Sequence, residues 1–202
     1  MAKTNLAVKL VIFSVINGKL KIFLTKPVLP TGIPDRGESL DSTGKRIFRQ
    51  KTGLYLKDCY VEQLYTFSTL EGSKHKIAVT YYLLLPYYII PAESLDSWVE
   101  AKTVTKDITD YRIIQYAIKR LRWKVEYTNA VYSLLPDEFV FSQLQTTYEA
   151  VLGKVLDKRN FRKKILSLNI LKSTGHKKIL GRARPAEMFS FRKKELAFVE
   201  IL

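Results

Sequence analysis

Acidic residues are scarce in this chain. Against 34 Lys and Arg there are 19 Asp and Glu, which gives a formal net charge of +15 over 202 residues. An excess of that size excludes a neutral surface and points to a polyanionic partner, either nucleic acid or an anionic membrane face. Cysteine is scarcer still: Cys59 stands alone. No intrachain disulfide is possible, and the chain suits a reducing, cytoplasmic setting. The two histidines, His75 and His176, lie far apart without companions, so no zinc site is expected. Long hydrophobic runs are also missing. The longest, residues 81–90, is broken by Pro86 and falls far short of the roughly 20 residues a membrane span requires. The N-terminus alternates too regularly for a signal peptide.

What is present fits a globular protein of one or two domains, with 47% hydrophobic and 26% charged residues. The charge is uneven. Residues 137–202 carry 14 Lys/Arg and 7 Asp/Glu, so the last third is where a polyanion should dock. At the other end, the β-rich stretches 7–13 and 20–24 flank Asn17-Gly18, a strong hairpin signal. Ser39 or Asp41 can cap a helix reaching about Lys51, with Leu40, Ile47 and Phe48 on its buried side and Gly53 as its stop. Strands are expected at 60–67 and 77–85, joined by a short linker. Asp110 is placed to cap a second helix of about 15 residues whose apolar stripe is Ile113, Ile114, Ala117, Ile118 and Leu121. Lys119, Arg120, Arg122 and Lys124 point away from that stripe. They suit either a helix lying near DNA or an ordinary solvated face.

Pro136 closes the preceding element, and Ser142-Gln143-Leu144-Gln145 reads as a capping box for a helix ending at Gly153. Asp157 can cap the next helix, where Phe161, Ile165 and Leu168 form one buried stripe. Lys158, Arg159, Asn160, Arg162, Lys163 and Lys164 crowd its start and exposed faces. A helix, a tight turn and a second helix with basic N-terminal residues make a helix-turn-helix layout. Strands are expected at 170–173 and 188–191. The basic connection between them, with Arg182 and Arg184, has the character of a wing that reaches a minor groove. A basic helical hairpin that binds a protein is the alternative from composition alone.

The segment Gly32-Ile-Pro-Asp-Arg-Gly-Glu38, followed by Ser39–Lys45 and Arg46-Ile-Phe-Arg-Gln-Lys-Thr-Gly-Leu54, resembles the Nudix box. Gly32, Glu38, Arg46, Phe48, Gly53 and Leu54 keep its frame. Three glutamate positions hold Ile47, Gln50 and Lys51 instead. In Nudix enzymes those glutamates hold divalent cations and handle the attacking water. Hard cations want carboxylate oxygens, which an amide and an ammonium do not replace. Residues 134–136, 144–149, 156–164 and 181–186 closely resemble the C-terminal domain of bacterial Nudix-related transcriptional regulators, a family that includes the repressor of NAD biosynthesis and the arabinose regulator. The similarity spans nearly the whole chain.

The resemblance implies an α+β protein: a Nudix-like α/β/α sandwich over residues 1–130, then a winged helix-turn-helix over residues 131–202. It implies a homodimer that reads a pseudo-palindromic operator in double-stranded DNA. A small-molecule effector, a sugar or an ADP-ribose-like metabolite, would control that binding without a cofactor or metal, and no catalytic residues are expected. Arg159, Asn160 and Arg162 are the candidates for base readout. Lys158, Lys163, Lys164, Arg182 and Arg184 are the candidates for phosphate or the minor groove. Glu38, Arg46, Gln50 and Lys51 are the candidate effector contacts, the alternative being a solvated helix face. Two other functions remain open from the residues. One is a Nudix-type hydrolase with a metal site rearranged around Glu38, Asp35 and Asp41. The other is an RNA-binding protein, though no aromatic stacking motif supports it.

Overall fold

A computed structural model describes residues 4–56, 59–72, 74–179 and 184–201. Its first half is built on a mixed sheet. Strands β1 (Thr4–Ile16) and β2 (Lys19–Phe23) form the expected hairpin, turning at Asn17 and Gly18, both with positive φ. The short β3 (Thr31–Gly32) pairs with β1. Helix α1 (Leu40–Thr52) follows, then β4 (Tyr60–Glu71), β5 (Lys74–Leu84) and β6 (Trp98–Glu100). The sheet runs in the order β4-β5-β1-β2-β6, with β1 and β5 parallel and the other pairs antiparallel. The expected 60–67 and 77–85 strands are longer than their apolar cores, and the linker between them shrinks to a tight turn near Gly72.

Strand β1 is buried on both faces, which explains its nearly continuous apolar run. Its alternate residues serve two cores. Val8, Leu10 and Ile12 pack with Ile47 and Phe48 of α1 on one side. Val11, Phe13 and Val15 face α2 (Tyr111–Tyr127) on the other. This second core does not stop at the sheet. It runs on through Leu144, Tyr148, Phe161, Ile165 and Phe189, so both halves of the chain share one apolar interior. The hairpin tip also meets the second half directly: a Cβ at Gly18 would lie 3.2 Å from the Thr146 methyl.

Helix α1 is capped as expected. The Ser39 hydroxyl accepts from the Ser42 amide, and Gly53 ends the helix at φ 73°, a left-handed conformation that costs glycine little. Gly32 answers a different need. A Cβ there would sit 2.8 Å from Ile47 Cγ1, so the box frame keeps a glycine where the helix presses on β3.

Helix α2 corrects two expectations. Asp110 occupies its N-cap position without capping it. The carboxylate is drawn into the interior instead, where it accepts from the Leu29 amide at 2.9 Å and pairs with Lys9 at 2.5 Å. Lys124 does not point to solvent: it is 6% exposed and pairs with Glu62 of β4 at 2.9 Å. Tyr60 and Tyr82 donate to the same carboxylate oxygen. Burial pushes Glu62 up, but these donors outweigh it and leave the carboxyl below its ordinary value.

The second half holds β7 (Phe139–Val140), α3 (Phe141–Leu152), α4 (Lys158–Ser167), β8 (Leu171–Lys178) and β9 (Ala186–Phe191), the strands ordered β7-β9-β8. The capping box is shifted from its expected place. The helix begins at Phe141, and the Gln143 side chain reaches back to the Val140 amide at 3.0 Å, leaving Ser142 exposed within the first turn.

Candidate DNA interface and ligand cleft

The α3–α4 pair is set by a few polar contacts at its turn. Gly153 ends α3 in the left-handed region. The Glu149 carboxylate then accepts from the Leu156 amide and from the Gln145 side chain, which also donates to the Leu156 carbonyl. Asp157 caps α4 by accepting from the Asn160 amide at 2.8 Å. Phe161 and Ile165 anchor α4 in the core, where Phe161 meets Tyr148 and Phe141 edge-on. That anchoring turns Lys158, Arg159, Asn160, Arg162 and Lys163 outward, with Lys164 half-buried. Arg162 is oriented as well: its guanidinium lies 4.6 Å from the Phe141 ring centroid.

Strands β8 and β9 form the wing and are longer than the apolar stretches at their bases suggested. Their register shifts between Ser173 and Lys177, near Gly175 at φ 77°. Lys172, Lys177 and Lys178 line β8 exposed, and Arg184 is exposed at the return. Arg182 lies outside the described residues.

At the other end, two clefts flank α1. One, of about 380 Å³, is walled by Leu10, Leu56, Val61, Tyr81 and Leu83, with Asp41, Lys45, Glu62 and Gln63 as polar points. The other, of about 650 Å³, is lined by Lys45, Arg46, Arg49, Gln50, Leu54, Tyr55 and Leu56. Glu38 and Arg46 belong to each other. Arg46 donates to both Glu38 oxygens, at 2.9 and 2.7 Å, and to the Ile33 carbonyl. The Asp35 amide and Thr43 hydroxyl complete the cradle. These contacts, that from Arg46 foremost, hold the Glu38 carboxyl down at about 2. Asp35 is turned to Arg46 as well, and Asp41 accepts from the Tyr81 hydroxyl at 2.7 Å. The three carboxylates of the rearranged metal site therefore do not converge, and among the described residues no group of three acidic, His or Cys side chains does. The residues do not fit a hard divalent cation.

The family model of the NrtR DNA-binding winged helix domain matches residues 131–191. Over 96% of this chain and 84% of the relative, the sequence is 28% identical to the ADPR responsive transcriptional repressor NtrR of Acinetobacter baylyi. The structure of Shewanella oneidensis NrtR complexed with a 27mer DNA superposes with a TM-score of 0.79 at 25% identity, covering 93% of both chains. In sequence and in fold the chain is similar to the Nudix-related transcriptional regulators. A MutT/nudix family protein from Enterococcus faecalis shares the fold, with a TM-score of 0.69 at 19% identity over 95% of this chain and 89% of its own.

In this chain the structure brings Arg46 and Gln50 into one cleft wall, while Lys51 lines neither cleft. Sequence reasoning passed over Lys45 and Tyr55, although i, i+4 spacing places Lys45 on the same side of α1 as Arg49. It also missed strand β7 and the C-terminal tail. The tail runs back along the end of α2: the Val199 and Ile201 amides donate to the Tyr127 and Glu126 carbonyls, and Ile201 is buried. The apolar residues Leu196, Phe198, Val199 and Ile201 are the available signal. No helix among the described residues is long and apolar enough to cross a membrane.

Proposed function

We propose that this protein is a metabolite-responsive repressor acting in the cytoplasm, in which residues 131–202 read operator DNA and residues 1–130 sense an effector of the ADP-ribose class. The observation that carries this reading is the α3–α4 pair, whose second helix presents Lys158, Arg159, Asn160 and Lys163 outward beside a basic wing. Cations at that position would neutralise phosphates and set the register on the duplex, with Arg159 and Asn160 proposed to read base edges. Lys163, Lys164, Arg182 and Arg184 supply phosphate or minor-groove contacts, and Arg162 serves the interface in the orientation that Phe141 imposes. A homodimer would present two such helices to the half-sites of a pseudo-palindrome. The relative from Acinetobacter is an ADPR responsive repressor, which favours an ADP-ribose-like effector over a plain sugar.

Hydrolysis is not part of this proposal. Ile47, Gln50 and Lys51 bring no carboxylate to the box, and Glu38 is engaged by Arg46. The test is a fluorescence-anisotropy titration with duplexes from the chain's own upstream region, with and without ADP-ribose. Sequence-selective binding that ADP-ribose weakens is the expected result. Equal affinity for all duplexes would refute the operator reading, and indifference to ADP-ribose would refute the effector class.

A further inference from the structure

The clefts on either side of Lys45 and Leu56 differ in character. The smaller has apolar walls and three polar points, Asp41, Glu62 and Gln63, that are not cations. The larger is lined by three cations and by no carboxylate at all. An anion entering it meets no repulsion from the walls. Glu38 and Asp35 are already turned onto Arg46. With Arg46 so occupied, two cations remain available, Lys45 and Arg49. Both are exposed on the same side of α1.

We propose that Lys45 and Arg49 form a metal-independent phosphate subsite, in which side-chain cations take over the charge neutralisation that a divalent metal performs in Nudix enzymes. Arg49 is prepared for this role. Its guanidinium carbon lies over the Tyr55 ring, 4.6 Å from the centroid. A ring contact restrains a guanidinium without using its N–H donors, which stay available for a bidentate phosphate contact. Lys45 stands in the wall common to both clefts. A molecule with a phosphate or diphosphate in the larger cleft and an uncharged ring in the smaller would therefore pass beside its ammonium. Gln50, in the same wall, adds an amide donor for an ester oxygen.

This inference rests on the sensor reading, and its failure can be told apart from that reading's failure. The experiment is isothermal titration of the full chain with ADP-ribose, inorganic pyrophosphate and D-ribose, each in magnesium and in EDTA. ADP-ribose and pyrophosphate are expected to bind with affinities that differ less than about twofold between the two conditions, with D-ribose binding far more weakly. Lys45→Ala and Arg49→Ala should each weaken ADP-ribose about tenfold, and together about 100-fold, the loss expected for one charge-assisted hydrogen bond per side chain. Both side chains are exposed, so thermal melts of the variants should match the parent and exclude misfolding. Binding abolished by EDTA, or alanine variants that bind like the parent, would overturn the subsite and leave the sensor standing. Metal-independent binding of ADP-ribose that leaves DNA affinity unchanged would sink the sensor reading and keep the subsite.

Discussion

Two short basic helices, α1 and α4, are built to similar rules and spend their charge in opposite ways. Each begins at a side-chain cap, Ser39 or Asp157, and each buries a narrow stripe, Ile47 and Phe48 or Phe161 and Ile165. On α1 the central cation is consumed at home: Arg46 holds Glu38 and the Ile33 carbonyl. On α4, Lys158, Arg159 and Lys163 face solvent and make no ion pair among the described residues. The difference teaches that a basic helix declares its role through what its cations already hold. A charge bonded to its own loop is architecture. A charge left open, on a helix whose buried stripe fixes its outward face, is available to a partner.

The contrast can be broken from the inside of α4. Phe161→Ala should cost about 3–5 kcal/mol by opening a cavity beneath the helix, read as a lower midpoint in urea unfolding; a change under 1 kcal/mol would mean the stripe does not set the helix. Next in size, Arg159→Glu should lower operator affinity more than about 100-fold while leaving the melting temperature within a degree or two. A milder change tests the same idea by salt. Lys158→Ala should reduce the slope of log affinity against log salt by about one, whereas Lys51→Ala on α1 should leave it unaltered; equal slopes for both would erase the distinction between the helices. The smallest effect concerns the committed charge. Glu38 should titrate near 2 in a carboxyl NMR experiment, and Arg46→Ala should return it toward the ordinary carboxylate range. A folded-state value below the unfolded one stabilises the fold above roughly pH 4.5. That contribution fades as pH falls toward 2 and vanishes below it.

Much of this arrangement is legible in the chain itself. The hairpin at Asn17-Gly18, the α1 cap and stop, the Phe161–Ile165 stripe and the Asp157 cap are local signals, decided within a few residues of the chain. The errors come where a distant group won. Asp110 was read as a cap because caps are local, but Lys9 and the Leu29 amide claim it from across the fold. Lys124 was read as outward because lysine is seldom buried, but Glu62, Tyr60 and Tyr82 of the sheet make its burial tolerable. The larger cleft beside α1 is only half visible in the sequence. Arg46 and Gln50 came from the box pattern, while Tyr55 enters through the turn after Gly53, which no motif marks.

The apolar interior shared by the sheet, α2 and the α3–α4 pair bears on how such regulators can be recombined. A reader joined to its sensor by a bare linker could be exchanged like a cartridge. Here Leu144, Tyr148 and Phe161 pack in the same interior as Val11 and Phe13. Transplanting residues 131–191 onto an unrelated sensor would expose that surface to water, so a working chimera would have to carry the facing strand and helix along with the reader.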